Sequence, residues 1–170
     1  PPPPIEEIEA AMALHQNDLY LYNYTADEVY ITGSTMFFDL LREWAFNLHQ
    51  AGIDNLVVMP PVRDLRDDGT GTGRSVVDIW VVLPKVYDVF VYDVYEALWK
   101  GDRVWSYNAL VQDDYTPKWQ IDFAPINYRI QPGFLNWRRG LTGLLYWRVD
   151  YWSGGTGDPW MSGEVYSSSS

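Results

Sequence analysis

Val76-Val77-Asp78-Ile79-Trp80-Val81-Val82-Leu83, followed by Tyr87 to Lys100 and then Gly101, is the stretch that decides the fold. Val76 to Leu83 is a nearly continuous apolar run of strand length, and such runs belong to strands buried on both faces of a parallel sheet. Tyr87 to Lys100 is long enough to be the helix that covers one of those faces, and Gly101 suits its end. Working outward, the same alternation recurs. Leu19 to Tyr24, Leu56 to Met59, Val104 to Leu110 and Leu144 to Trp152 read as four further strands. Thr35 to Gln50 is the clearest helix: Phe37, Phe38, Leu41, Trp44, Ala45 and Leu48 form one stripe, with Ser34 as its cap and Gly52 as its stop. Ile5 to Gln16 is expected to be helical, with acids in its first turn, and Ile126 to Arg139 to be a helix interrupted by Pro132. Five short strands alternating with helices predict an α/β protein with a parallel sheet. A doubly wound sheet accepts five strands, whereas a complete barrel needs eight.

Composition narrows the partners. With 12 Lys+Arg against 23 Asp+Glu the chain carries a net charge of −11, which argues against nucleic acid or an anionic membrane surface. There is no Cys, so disulfides, thiolate metal sites and cysteine nucleophiles are excluded. His15 and His49 are far apart, which disfavours zinc, and neither metal nor cofactor is expected. No apolar run is long enough to span a bilayer, and no signal peptide is visible at the start. The homopolymeric ends, residues 1–4 and 167–170, are set aside from the fold, leaving one globular unit over 5–166.

The 9 Trp and 13 Tyr direct attention to sugars, because aromatic faces match the C–H faces of pyranose rings. A core unusually rich in aromatics is the competing explanation. In α/β barrels chemistry gathers at the C-terminal ends of strands. There the sequence offers Asp27-Glu28 after the first strand, Trp105-Ser106-Tyr107-Asn108 in the fourth, and Tyr146-Trp147 through Tyr151-Trp152 in the last. Adjacent residues of an ideal strand point to opposite faces, so Asp27 and Glu28 can serve one site only if the backbone leaves strand geometry there. Two carboxylates in an aromatic pocket repel one another, and desolvation favours the neutral form of one of them. One acid can then protonate a leaving oxygen while its neighbour stays ionised. A solvated acidic loop or a helix cap accounts for the same dipeptide.

Several other features admit a plain structural reading. Gly69-Thr70-Gly71-Thr72-Gly73-Arg74 lacks the Gly-Lys-Ser/Thr ending of a phosphate loop and reads as a flexible turn. Asp64, Asp67 and Asp68 could gather round Ca²⁺ but read as a solvated acidic loop. Asn23-Tyr24-Thr25 is a formal glycosylation sequon in a strand expected to be buried. Asp113, Asp114 and Asp122, with Tyr115 and Trp119, could touch substrate or be solvated.

The residues resemble glycoside hydrolase family 123. The resemblance is carried by Asp27-Glu28 after a strand, Val77-Asp78-Ile79-Trp80-Val81, Trp105-Ser106-Tyr107-Asn108, and Gly143-Leu144-Leu145-Tyr146-Trp147 through Tyr151-Trp152 and Asp158-Pro159-Trp160. It spans roughly 19–160, and its last segment is the most specific part. Val29 stands where the family commonly has Pro.

The resemblance implies a (β/α)8 barrel of the TIM type, of which this sequence corresponds to the last five β/α units. A missing N-terminal segment or a second chain would complete the barrel. It also implies substrate-assisted, retaining hydrolysis of N-acetylhexosaminides of the N-acetylgalactosamine type. In that chemistry the sugar's own acetamido carbonyl replaces an enzyme nucleophile. By the resemblance Asp27 orients the acetamido nitrogen and Glu28 is general acid, then base. Tyr107 and Tyr146 hydrogen-bond the acetamido group, Trp105, Trp147 and Trp152 wall the sugar pocket, and Asn108 holds a hydroxyl. A secreted or periplasmic bacterial enzyme fits this picture. The alternative from another class is a glycan-binding or assembly protein without turnover.

Overall fold

The computed structural model describes residues 1–30, 33–109, 114–117 and 124–146. Strands β1 (Tyr22–Asp27), β2 (Asp54–Val58), β3 (Ile79–Val82), β4 (Arg103–Ser106) and β5 (Gly143–Leu144) form one parallel sheet in the order β1-β2-β3-β4-β5. Helix α1 (Ile5–Met12) precedes β1, and helices α2 (Phe38–Gln50), α3 (Pro84–Val89), α4 (Val91–Lys100), α5 (Pro125–Arg129) and α6 (Asn136–Arg139) lie between the strands in sequence. A turn of π-helix, Ile130–Leu135, joins α5 to α6. The α/β expectation therefore holds. A doubly wound sheet reverses its strand order at a switch point. Here consecutive strands are neighbours throughout.

Local chemistry explains where elements begin and stop. In α2 the buried stripe is Phe38, Leu41, Ala45 and Leu48. The helix closes on Gly52, whose φ of 80° suits a residue without Cβ. Gly52 N–H donates to His49 O at 3.1 Å and Ile53 N–H to Leu48 O at 2.8 Å, while Ile53 packs on Leu48. This is a Schellman stop with its apolar contact. Ser34 does not cap α2: its Oγ accepts from Met36 N–H at 3.3 Å, one turn too early, and the helix starts at Phe38. The segment expected as one helix over 87–100 starts earlier, at Pro84, and breaks into α3 and α4 at Phe90, whose φ of −107° and ψ of 29° are not helical. α1 ends at Met12 rather than Gln16; Leu14 is exposed, so no further apolar residue anchors another turn. Pro3 and Pro4 take part in the fold, Pro3 O accepting from Asn47 Nδ2 at 2.8 Å and Pro4 O from Glu7 and Ile8 N–H.

The sheet has two apolar faces. Val57, Met59, Trp80, Val82 and Val104 face α2 and α4, meeting Phe38, Leu41, Ala45, Val94 and Ala97. Leu56, Val58, Ile79, Val81, Leu83 and Tyr107 form a separate cluster on the opposite face. That opposite face is concave. In a flat sheet β1 and β4 would stand three strand spacings apart, about 14 Å. Yet the rings of Tyr22 in β1 and Trp105 in β4 meet edge to face with centroids 5.2 Å apart. The Tyr107 hydroxyl, just past β4, donates to Glu28 Oε1, just past β1. The strands must curl for those side chains to touch.

Candidate functional site: a carboxylate pair beside two tyrosines

β1 runs further than expected, through Asp27, and two irregularities shape its end. Its register against β2 shifts between Tyr24 and Ala26, so Thr25 is an extra residue in a bulge. Thr25 and Ala26 are thereby both spent on the helix side: Thr25 Oγ1 donates to Asn55 Oδ1, and Ala26 packs on the core shared with α2. Asp27 returns to the face that carries Tyr24. Glu28 then adopts φ 51°, the left-handed region, and is alone among the described non-glycine residues in doing so. Val29 and Tyr30 immediately re-enter the helix-side core, with Tyr30 stacked on Phe38 at 5.9 Å between centroids. Glu28 is therefore held out of regular geometry by anchors on both sides. Strain of this kind persists only where surroundings over-determine it, and it collects at functional sites.

Four groups meet as a result: Asp27, Glu28, Tyr24 and Tyr107. Both carboxylates are exposed, whereas Tyr107 is buried. Burial, then the hydrogen bond to Glu28, then the charges of Glu28 and Asp27 push the Tyr107 hydroxyl far above the ordinary tyrosine range. Tyr24 is raised likewise by burial, by Asp27 and by Glu28. Neither phenol yields its proton at any ordinary pH. The Tyr107 hydroxyl is a donor held on the Glu28 carboxylate.

The remaining sequence candidates scatter. Trp105 lies on the concave face one layer below, its ring wedged between Tyr22 and Gly143. Asn108 is fully buried, with Oδ1 accepting from Ala109 N–H at 3.0 Å, a turn-stabilising role. Tyr146 is half-buried, its hydroxyl raised by burial and by neighbouring Tyr128. Trp147, Trp152, the rest of the expected final strand, Asp158 to Trp160, and Asp113, Trp119 and Asp122 lie outside the described residues. Tyr115 donates to Asp88. Tyr24 was not singled out from sequence. Its signal was the alternation Tyr20, Tyr22, Tyr24, which sets one tyrosine after another on one strand face.

The opposite, N-terminal rim of the sheet carries the other charged cluster. His49 Nδ1 and Nε2 lie 3.0 Å from Asp68 Oδ2 and Asp78 Oδ2 respectively. Arg74 bridges Asp78 and Asp54 at 2.7 Å each, and Arg103 reaches Asp54 at 2.9 Å while lying over the Tyr20 ring. Asp68 was expected in a solvated loop; instead its side chain is 3% exposed, because Thr70 and His49 supply the bonds that water would. The Gly-rich turn is likewise tied down by Thr70 and Thr72. Burial opposes ionisation of Asp68 and Asp78, but their hydrogen bonds and His49 outweigh it and hold both below the usual carboxylate range. Among the described residues no group of three or more His, Cys, Asp or Glu side chains is arranged to hold a metal. No described helix is long and apolar enough to cross a membrane.

Fold and site together define an α/β protein with a curved, five-stranded parallel sheet and an acid pair at the C-terminal end of β1. Neither a protein-family model nor a curated protein matches the chain.

Proposed function

We propose that the chain belongs to a glycoside hydrolase acting on N-acetylhexosaminides, with Asp27 and Glu28 as its working acids. The carrying observation is the bulge-plus-left-handed turn that brings two adjacent carboxylates to one face of the sheet. Strand order and curvature support reading the fold as five consecutive units of a (β/α)8 barrel, whose active sites sit at this end of the strands. A further segment or a second chain would supply the other strands and close the sugar pocket.

In this reading Asp27 holds the acetamido N–H, and the acetamido carbonyl oxygen attacks the anomeric carbon. The glycosidic C–O bond breaks as Glu28 gives its proton to the leaving oxygen. Glu28, now ionised, takes a proton from water as the water's oxygen opens the oxazolinium ring, which restores both groups. Trp105, Trp147 and Trp152 would wall the ring, Tyr146 would face the acetamido group, and Asn108 would steady its loop. Glu28→Gln should abolish release of the aryl group from an aryl β-N-acetylgalactosaminide while leaving glycan binding in place. The exposure of both carboxylates favours one other reading, a glycan-binding protein without turnover. Wild-type protein that binds the glycoside and never cleaves it would decide for that second reading.

A further inference from the structure

We infer that Tyr107 is a positioning residue, committing its hydroxyl proton to Glu28, one acid of the pair. The inference deepens the hydrolase reading and rests on it for its kinetic arm alone. A phenol has one proton to donate. The proton of Tyr107 goes to Glu28 Oε1, so it is not available to a substrate carbonyl, and the acetamido contact falls to Tyr146. It also divides the two oxygens of Glu28. Oε1 is held by the phenol, which leaves Oε2 as the atom that carries the proton to the leaving group and later collects one from water.

The backbone is built for this pairing. Residues three apart in a regular strand face opposite ways, so Asp27 joins the face of Tyr24 only because of the extra residue Thr25. Without φ 51° at Glu28, its side chain would follow the chain toward the helix side, where Val29 and Tyr30 go. Tyr107 lies 79 residues away and reaches Glu28 only because the sheet curls. Turn and curvature thus together make a contact that neither core packing nor strand pairing requires. Burial of Tyr107 keeps water from competing for the bond, and an exposed carboxylate with a buried donor on one oxygen has its rotamer fixed while the other oxygen stays open.

The test has two arms. The full chain is labelled with ¹³Cζ-tyrosine, and Tyr107→Phe assigns its signal. At neutral pH the Tyr107 signal should move in Glu28→Ala and stay in Asp27→Ala. Glu28→Gly, which suits the left-handed backbone, repeats the first comparison should the alanine variant not fold. A Tyr107 signal that ignores Glu28, or answers equally to both acids, overturns the assignment. In the kinetic arm, on an aryl β-N-acetylgalactosaminide, Tyr107→Phe should lower kcat about 10–100-fold, the usual effect of a misplaced catalytic group, with KM little changed. Its pH–rate profile should move, while Tyr30→Phe, which touches only the core, leaves both as they were. A kcat and profile unchanged in Tyr107→Phe overturn the positioning role. Correct spectra with no turnover in the wild type would leave the pairing standing and remove the hydrolase reading.

Discussion

Residue 28 allows the geometry of the acid pair to be weighed independently of any activity. Glu28 sits at φ 51°, where an L-residue's Cβ crowds the following carbonyl at a cost of about 1–2 kcal/mol. Replacing it by Gly or Ala removes the same carboxylate and orphans the same Tyr107 hydroxyl, so those losses cancel between the two variants. What remains is the left-handed cost, borne by Ala and not by Gly, less the extra freedom of Gly in the unfolded chain, about 0.4–1 kcal/mol. Glu28→Gly should therefore be more stable than Glu28→Ala by about 0.5–1 kcal/mol. In urea, with a slope of about 2 kcal/mol per molar, that is a midpoint difference of about 0.3–0.5 M. Glu28→Asn should fall between them, since Asn tolerates the left-handed region better than Ala. At any ordinary helical or extended position the order of Ala and Gly is the opposite. An alanine variant as stable as the glycine variant would mean that residue 28 does not hold this turn, and the convergence of both acids on one face would lose its cause.

Other expectations follow from the packed rim and the sheet. Asp78→Asn strips the mostly buried partner of His49, Arg74 and the Asn55 N–H, and should cost about 3 kcal/mol, lowering Tm by about 6–12 °C in calorimetry. Because the Asp68 and Asp78 carboxyls are held below their ordinary value in the fold, the stability they confer is complete above about pH 4. It is lost as pH falls below that, so the acid side of the stability profile should be steep in wild type and shallower in Asp78→Asn. Profiles of equal slope would count against the network. Gly143→Ala would place a Cβ 2.4 Å from the Trp105 ring, which Tyr22 holds from the other side. It should cost about 1–3 kcal/mol and alter the near-UV circular dichroism; a neutral result would place Trp105 elsewhere.

Much of the architecture was legible because it is written in short-range patterns. The apolar run around Ile79 to Val82 and the stripe of α2 name their own secondary structure, and five such strands imply a parallel sheet. What could not be read was long-range. Nothing near Tyr107 in sequence says that the sheet curls enough for it to reach Glu28, and nothing near His49 says that Asp68 and Asp78 close on both of its nitrogens. The acid pair itself was legible as a strand-end dipeptide, and so was the condition it had to meet, a departure from strand geometry. The means were not: no residue type announces a bulge at Thr25, and a glutamate is a poor advertisement for a left-handed turn. Asn108, an amide beside an aromatic strand end, is legible as a candidate in the same way, and the structure has its oxygen accepting from the next residue's N–H.

The two rims of the sheet differ in how their charges are matched. At the N-terminal rim Asp54, Asp78, Arg74 and Arg103 are matched charge for charge, and Tyr20 donates to Asp54 beneath the Arg103 guanidinium. These matched groups hold the strand starts together. At the C-terminal rim the charges are unmatched. Two carboxylates stand beside each other, Glu28 with a phenol and not a cation as its partner, on a backbone turned against its own preference. A phenol fixes a carboxylate's direction without cancelling its charge. Backbone preference alone would place glycine at position 28, so the glutamate is kept there against the conformational cost of its turn.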